Sequence, residues 1–383
     1  MIGKKQKAFL YSVASEFVNP KKIIEIREIN TGHVNDTYLV IMPESEYILQ
    51  RINTNVFSSP FGMMHNIKEV TYFLRKKVIY EGNNPSRAVL NIVKTKYNQD
   101  LAIKKDKYYR MLEFISNSMS FDIIPSKELF SEMGRAVGNF QKLIQGFPPH
   151  VLDETIQHFH DTPFRYKQLL MSIKINHQNR KEEVKKEIYF FEKNEKLYSI
   201  ITKKLKNKSI PSRVTHNDTK PSNVLFDKNT SKALCMIDLD TVMKGSIVYD
   251  YGDALRVGAS NAREDEKNLE KVTINLDYFK AFTLAFLKEV KDVITASEVE
   301  LLFYGYLIMT IEVAMRFLTD YLNGDIYFKI NYDKHNLVRA RNQIKVCEEI
   351  ISKENEIKEI IDDCLLELEI RKQVKIKSLQ NIY

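Results

Sequence analysis

The chain has little of what interrupts a fold. Its 383 residues hold only 12 glycines and 10 prolines, too few for long flexible linkers or low-complexity tails. No segment recurs at the period of a solenoid. The three cysteines, Cys235, Cys347 and Cys364, stand far apart with no CxxC pair. They offer neither a disulfide framework nor a zinc site, and their usage fits a reducing, cytoplasmic setting. An uninterrupted apolar run is missing as well. The opening stretch turns apolar only briefly before Ser12, Ser15 and Glu16, too soon for a signal-peptide core. The apolar stretch 301–318 carries Glu312 and Arg316 one helical turn apart, so it reads as a core helix and not a membrane span. Charge of one sign is also scarce: the net +8 is modest, and the lysines are interspersed with glutamates. That pattern belongs to solvated helix faces, and neither a nucleic acid nor a membrane is an expected partner.

What is present is an ordinary globular composition, 44% hydrophobic and 28% charged, long enough for two lobes. Residues 1–19 read as a helix closed by Asn19-Pro20. Strand-like runs follow at 23–29, 38–41 and 47–52, with connections short enough for an antiparallel meander. Residues 57–80 carry helical spacing, and two further strands are expected at 88–95 and 108–114. Residues 116–126 lack either period and separate a β-rich lobe, 1–115, from a helical lobe, 116–383. Helices are expected over 127–144, 163–175, 178–207, 265–290, 296–322 and 335–378. The Lys/Glu run of 178–207 reads as a solvated face, and the chain ends in a basic tail. The expected class is α+β, a β-sheet lobe with one crossing helix followed by a mostly helical lobe.

Chemistry concentrates in Val214-Thr-His-Asn-Asp-Thr-Lys-Pro-Ser-Asn-Val-Leu-Phe226. His216, Asp218 and Asn223 share one polar loop between apolar flanks. An Asp so placed can orient an attacking hydroxyl and take its proton, and an Asn carbonyl is a hard ligand for Mg²⁺. A second apolar run, 233–237, ends in Asp238 and Asp240, and Asp238 can supply the charged ligand that Asn223 cannot. Both halves in this order describe a phosphoryl-transfer site. The third strand should carry a cation for the nucleotide phosphates, but it reads Ile48-Leu-Gln-Arg-Ile. Successive side chains alternate faces, so only one of Gln50 and Arg51 points into the cleft. Arg51 could do a lysine's electrostatic work, with Glu69 a possible partner from the next helix.

With these motifs in hand, the sequence resembles the aminoglycoside-phosphotransferase-like small-molecule kinases, which share a two-lobe plan with protein kinases. The resemblance makes Asp218 the catalytic base, Asn223 and Asp238 the Mg²⁺ ligands, and His216 a structural histidine. It makes Lys220 the neutraliser of charge on the transferred group. Asp240 then supports the loop, and one of Asp250 and Asp253, with Asp250 favoured, anchors it. Further stretches are similar to the N-acetylhexosamine 1-kinases: residues 31–38, 47–53, 159–163, 237–243, 249–256 and 316–328. Here the resemblance implies that the 31–35 loop covers the phosphates through the backbone of Gly32 and Val34. Adenine would meet the backbone of Glu113 and Ile115. His33, Arg316 and Tyr327 would meet a sugar, with Asp320 or Glu312 holding the arginine's charge. The implied activity is ATP- and Mg²⁺-dependent phosphorylation of a sugar's anomeric hydroxyl by a monomer or small homo-oligomer. Alternatives are a kinase of an aminoglycoside, choline, homoserine or another amino alcohol, and a non-catalytic nucleotide- or sugar-binding protein. A protein kinase is disfavoured, since Asp-Phe-Gly, Ala-Pro-Glu and a Gly-rich loop are all missing.

Overall fold

Helix α1 (Lys4–Ala14) lies along one face of an antiparallel sheet that makes up most of the N-terminal part. The computed structural model describes residues 4–29 and 34–370. Gly32, His33 and the basic tail lie outside them. The sheet contains β1 (Glu25–Ile29), β2 (Asp36–Ile41), β3 (Glu46–Arg51), β4 (Ile92–Val93), β5 (Ala102–Lys104) and β6 (Lys107–Glu113). Strand order is β1-β2-β3-β6-β4, with β5 also on β6, so the expected meander is continued by β6. Of the strand expected at 88–95, only Ile92–Val93 pairs, because Val89 and Leu90 turn down into the core. The strand β5 was not legible, since only Ala102 among its three residues is buried.

The two faces of the sheet have different neighbours. Tyr38, Val40, Leu49, Tyr109 and Met111 meet Leu10, Val13 and Ala14 of α1. The other face carries Ile48, Gln50, Arg110 and Leu112, and is backed by α2 (Pro60–Tyr80) and the rest of the molecule. Helix α2 begins at Pro60 behind Ser59, whose hydroxyl accepts from the Gly62 N–H. Its buried Met63, Met64, Ile67, Val70, Leu74 and Val78 recur at helical spacing.

The remainder is mostly helical: α3 (Lys127–Leu143), α4 (Thr162–Ile175), α5 (Lys185–Lys193), α6 (Ile200–Lys206), α7 (Ile247–Gly258), α8 (Leu276–Val290), α9 (Ala296–Val299), α10 (Leu302–Asn323), α11 (His335–Ser352) and α12 (Glu354–Glu367). Small strands interrupt it: β7 (Ser118–Met119), β8 (Arg213–Thr215), β9 (Val224–Asp227), β10 (Ala233–Met236) and β11 (Met243–Gly245). They form the ribbons β10-β9-β7 and β11-β8. Four expected helices are broken, the 296–322 helix into α9 and α10 at Glu300–Leu301. The 178–207 helix turns between α5 and α6 so that Tyr198 and Ile201 can bury. Its charges are not all solvated either, because Glu187 is buried against Arg341 and Glu183 accepts from Tyr321 and Lys334. Residues 265–275 are non-helical until Asn275 caps α8 by accepting from Tyr278 N. The last helix breaks at Lys353.

The apolar helix α10 is the hub of this part, packed by α4, α7, α11 and α12. It is long and apolar enough to cross a membrane, but 83% of its apolar window is buried inside the protein. Its crossing with α7 is made at Gly252 and Gly305, where a Cβ on Gly252 would come within 2.2 Å of the Gly305 carbonyl oxygen. Only two glycines let the backbones approach this closely.

A clasp joins the two parts. Arg87 donates to Asp227 Oδ2 at 2.8 Å and to the carbonyls of Ser116 and Asn117 at 3.1 Å. Hydrogen bonds from Arg87 and the Thr230 backbone hold the Asp227 carboxyl down to about 2. A carboxyl depressed in the folded state contributes stability above its unfolded pKa of ~3.9, and that contribution disappears as pH falls through the folded value. Asp227→Asn should therefore lower Tm at pH 7, and its gap from wild type should shrink as pH drops from about 4 toward 2. Thermal melts across that range check it; a gap that does not depend on pH would contradict the clasp.

Candidate active site

The site is built on the turn between β8 and β9, and its backbone is held from below by α7. Asp250 accepts from the His216 N–H at 2.9 Å, the Asn217 N–H at 2.8 Å and Gln141 Nε2 at 2.7 Å. Asp253 accepts from the Thr219 N–H at 2.8 Å, and Thr219 Oγ1 donates to the Asp250 carbonyl at 2.7 Å. Both carboxylates work, one on each half of the loop. Burial pushes the Asp250 carboxyl up, against the pull of His216 and the backbone N–H groups. Asn217 sits in the left-handed region, and its amide donates to the Thr215 and Thr241 carbonyls. His216 turns its Nε2 to the Ile237 carbonyl at 2.9 Å, tying the loop to the segment that ends in Asp238.

Asp218 emerges from this frame half-buried. Its Oδ2 accepts from Lys220 Nζ at 2.5 Å and Asn223 Nδ2 at 2.8 Å. Burial pushes its carboxyl up, but Lys220 and Asn223 hold it net below the usual range, so it stands as a carboxylate able to accept a proton only transiently. Burial likewise disfavours the Lys220 charge, yet Asp218 and Asp238 raise its pKa. Asn223 is placed by its own carbonyl, which accepts from the Ile237 N–H at 2.8 Å. With its nitrogen on Asp218, its amide oxygen has no donor among the described residues.

Asp238 lies next along the chain in the left-handed conformation, with φ of 62°, which an Asp tolerates better than most residues. It makes no hydrogen bond among the described residues. Burial, then the Asp240 carboxylate, pushes it up to about 6, against the pull of Lys220 and Arg110. An unpartnered carboxylate beside a free amide oxygen fits a hard divalent cation, whose charge would relieve the cost of ionising Asp238. Asp240 faces elsewhere. It accepts from Asn35 Nδ2 at 2.7 Å and pairs with Arg110 at 2.5 Å, both from the N-terminal part.

The sheet settles the Gln50 and Arg51 alternative geometrically. Gln50 shares the inner face with Arg110, whose Nε donates to Gln50 Oε1 at 2.9 Å. Arg51 is on the α1 side, paired with Asp36 and not with Glu69. Of the two open alternatives, strand alternation puts Gln50 on the inner face and turns Arg51 away from it. Val34 is exposed, and its carbonyl accepts from Asn53 Nδ2 at 3.3 Å. Glu113 and Ile115 end the sheet. The Glu113 N–H is used by Asn91 and the Ile115 carbonyl by Ser118, while the Ile115 N–H has no acceptor among the described residues.

At the other end, neither Glu312 nor Asp320 holds Arg316. Glu312 is fully buried and takes His160 Nδ1 at 2.7 Å and Thr162 Oγ1 at 2.6 Å. Burial pushes its carboxyl up, and His160 and Thr162 hold it net below the usual range. Asp320 gathers the N–H groups of Ile326, Tyr327 and Phe328, which fold the chain after α10 back on itself. Arg316 instead lies among Phe159, Phe328 and Tyr327, 5.0, 5.4 and 5.6 Å from their ring centroids. Its Nη2 reaches the Tyr327 hydroxyl at 3.4 Å. The charge of Arg316 also depresses the pKa of Arg165, after burial. Through His160, which meets the Asn217 carbonyl at 3.3 Å, this corner connects to the loop. A cavity of about 1110 Å³ opens beside it, lined in part by Phe159, His160, Asn217, Lys244 and Tyr249.

Sequence reasoning assigned no role to Arg110, Asn66, His160 or Arg165, and it left Asp253 as the less favoured of two anchors. Asn66, fully buried on α2, donates to the Asp153 and Val242 carbonyls and accepts from the Asp153 N–H. A polar residue at a core position of α2 was the available signal for Asn66. Arg110 had none, because its meaning depends on strand pairing.

Asp250→Ala would leave two backbone N–H groups, and the one N–H of the Gln141 amide that does not reach the Val214 carbonyl, buried without an acceptor, each costing about 1–3 kcal/mol. A loss of at least ~3 kcal/mol in urea unfolding is expected. A loss under ~1 kcal/mol would show that the loop does not depend on this carboxylate.

The chain was compared with known proteins and structures. It is similar in fold to a microcompartment-associated aminopropanol kinase, with 13% identity over 92% of this chain and 98% of that one, and a TM-score of 0.58. It is similar to an aminoglycoside phosphotransferase from Alicyclobacillus acidocaldarius, with 13% identity over 94% and 96%, and a TM-score of 0.58. A choline kinase from Cryptosporidium parvum matches with 12% identity over 96% and 98%, and a TM-score of 0.57. At such identity these likenesses establish the fold alone. The family model APH, described as the phosphotransferase enzyme family, matches residues 25–272, from β1 through the whole catalytic loop and α7. The chain therefore belongs to the APH phosphotransferase enzyme family.

Proposed function

We propose that this phosphotransferase is a MgATP-dependent kinase of a small sugar, transferring the γ-phosphoryl group to the anomeric hydroxyl of an N-acetylhexosamine. The observation that carries the sugar assignment is the chemistry around Arg316. An amino-alcohol cation needs an available carboxylate; Glu312, Asp320 and Asp161 are engaged, while Asp153 and Glu154 also line the cavity. Glu312 is taken by His160 and Thr162, Asp320 by three backbone N–H groups, and Asp161 by the Phe164 N–H and His158. Aromatic rings that could cradle an ammonium group are filled by the arginine itself. The ligand that fits offers hydroxyl and carbonyl oxygens to guanidinium donors and an apolar ring face to an aromatic side chain.

In this reading Asp218 orients the acceptor hydroxyl and takes its proton as the oxygen closes on phosphorus. Lys220 screens the Asp218 charge and the negative oxygens of the group in flight. Asn223 and Asp238 would hold Mg²⁺, which would supply positive charge to offset that of the phosphates. The loop's buried anchors keep these groups fixed, and alignment is where phosphoryl transfer gains most of its rate. The amino-alcohol reading keeps support from the aminopropanol and choline kinases of similar fold.

A coupled ADP-release panel of N-acetylhexosamines, neutral hexoses, aminoglycosides, choline and aminopropanol with MgATP separates the two. Turnover is expected with an N-acetylhexosamine, and phosphorus NMR should show a 1-phosphate. Turnover with choline or aminopropanol alone would refute the sugar assignment. Asp218→Asn should lower kcat by at least ~10²-fold. Arg316→Ala should raise the sugar KM by about 10-fold or more while leaving the ATP KM in place.

A further inference from the structure

The strand that should present a cation to the nucleotide presents Gln50, a neutral side chain. Directly opposite it in the ladder, on the neighbouring strand and the same face, stands Arg110. Its side chain is 2% exposed, yet its charge is felt at Asp238. Gln50 accepts from its Nε and so fixes the plane of the guanidinium. Gln50 is in turn fixed by donating to Thr37 Oγ1 at 3.1 Å. Among the described residues, Arg110 is the buried cation on the sheet's inner face, which an exposed Arg27 shares on β1; Arg51 and Lys104 pair on the other side with Asp36 and Glu16.

The partner of Arg110 is unusual. Asp240 Oδ1 lies 2.5 Å from Nη1, but the contact is not aligned as a hydrogen bond, and this buried oxygen has no directed donor. Asp240 also sits two residues beyond Asp238, where a bound metal and its phosphates would lie. An anion with better geometry there can take over the Arg110 fork, since guanidinium matches phosphate oxygens in pairs.

We propose that Arg110 supplies the cation that holds the nucleotide's α and β phosphates, and that Asp240 carries that cation when nucleotide is absent. This rests on the MgATP reading above. The lysine function has moved one strand over, with Gln50 as its positioning residue. Asp240 also accepts from Asn35 Nδ2.

The test is calorimetric titration of MgADP and of adenosine into the wild-type enzyme, Arg110→Lys and Arg110→Met/Asp240→Asn. The double variant leaves no uncompensated buried charge and is expected to fold. It should lose at least ~10-fold in MgADP affinity with adenosine affinity unchanged, as removing charge-assisted phosphate contacts requires. Arg110→Lys keeps a charge without the fork and should show a smaller loss, again confined to MgADP. If MgADP affinity stays within ~2-fold of wild type in both variants, or if MgADP and adenosine weaken together, the assignment is overturned. A wild-type protein that binds neither ligand would overturn the MgATP reading itself, and Arg110 with it.

Discussion

One buried carboxylate sets the geometry of this molecule's chemistry. Asp250 carries two backbone N–H groups of the loop and shares a glutamine amide with the Val214 carbonyl. Holding an ion in that position is costly, as the raised carboxyl indicates, and three directed donors offset the cost. Everything catalytic is measured from there. The direction of Asp218, the reach of Asn223 and the strand that ends in Asp238 follow from a backbone fixed at His216 and Asn217. Asp253 repeats the arrangement one turn along α7, so the loop is gripped at two points and not merely pinned at one.

Much of this was legible from residue spacing, and for a physical reason. His216, Asp218 and Asn223 act within one turn of chain, so their relation is local and survives in the one-dimensional record. The alternating sheet and the amphipathic α2 and α3 are local patterns too. The overlooked features are all relations between distant segments. Arg110 acquires meaning only when β3 and β6 come into register, which places it beside Gln50. The aromatic setting of Arg316 comes from Phe159, Tyr327 and Phe328, on two separate turns. The breaks at 194–199 and at Lys353 reflect burial demands of neighbours, which outweigh a helical run of lysine and glutamate. Nothing in a single sequence records which neighbour a helix will meet.

The electrostatics divide along the cleft. One end gathers carboxylates near Asp238 and raises its pKa, a suitable seat for a cation. The other gathers Arg165 and Arg316 while its carboxylates are consumed by internal bonds.

The glycine contact between α7 and α10 has an implication for how the site comes into being. The loop precedes both helices in the chain, but its anchors sit on α7, and α7 packs on α10 where Gly252 meets Gly305. During synthesis the loop therefore emerges before the surface that shapes it. A nascent chain ending short of α10 holds every residue of the catalytic motif and still lacks an active centre.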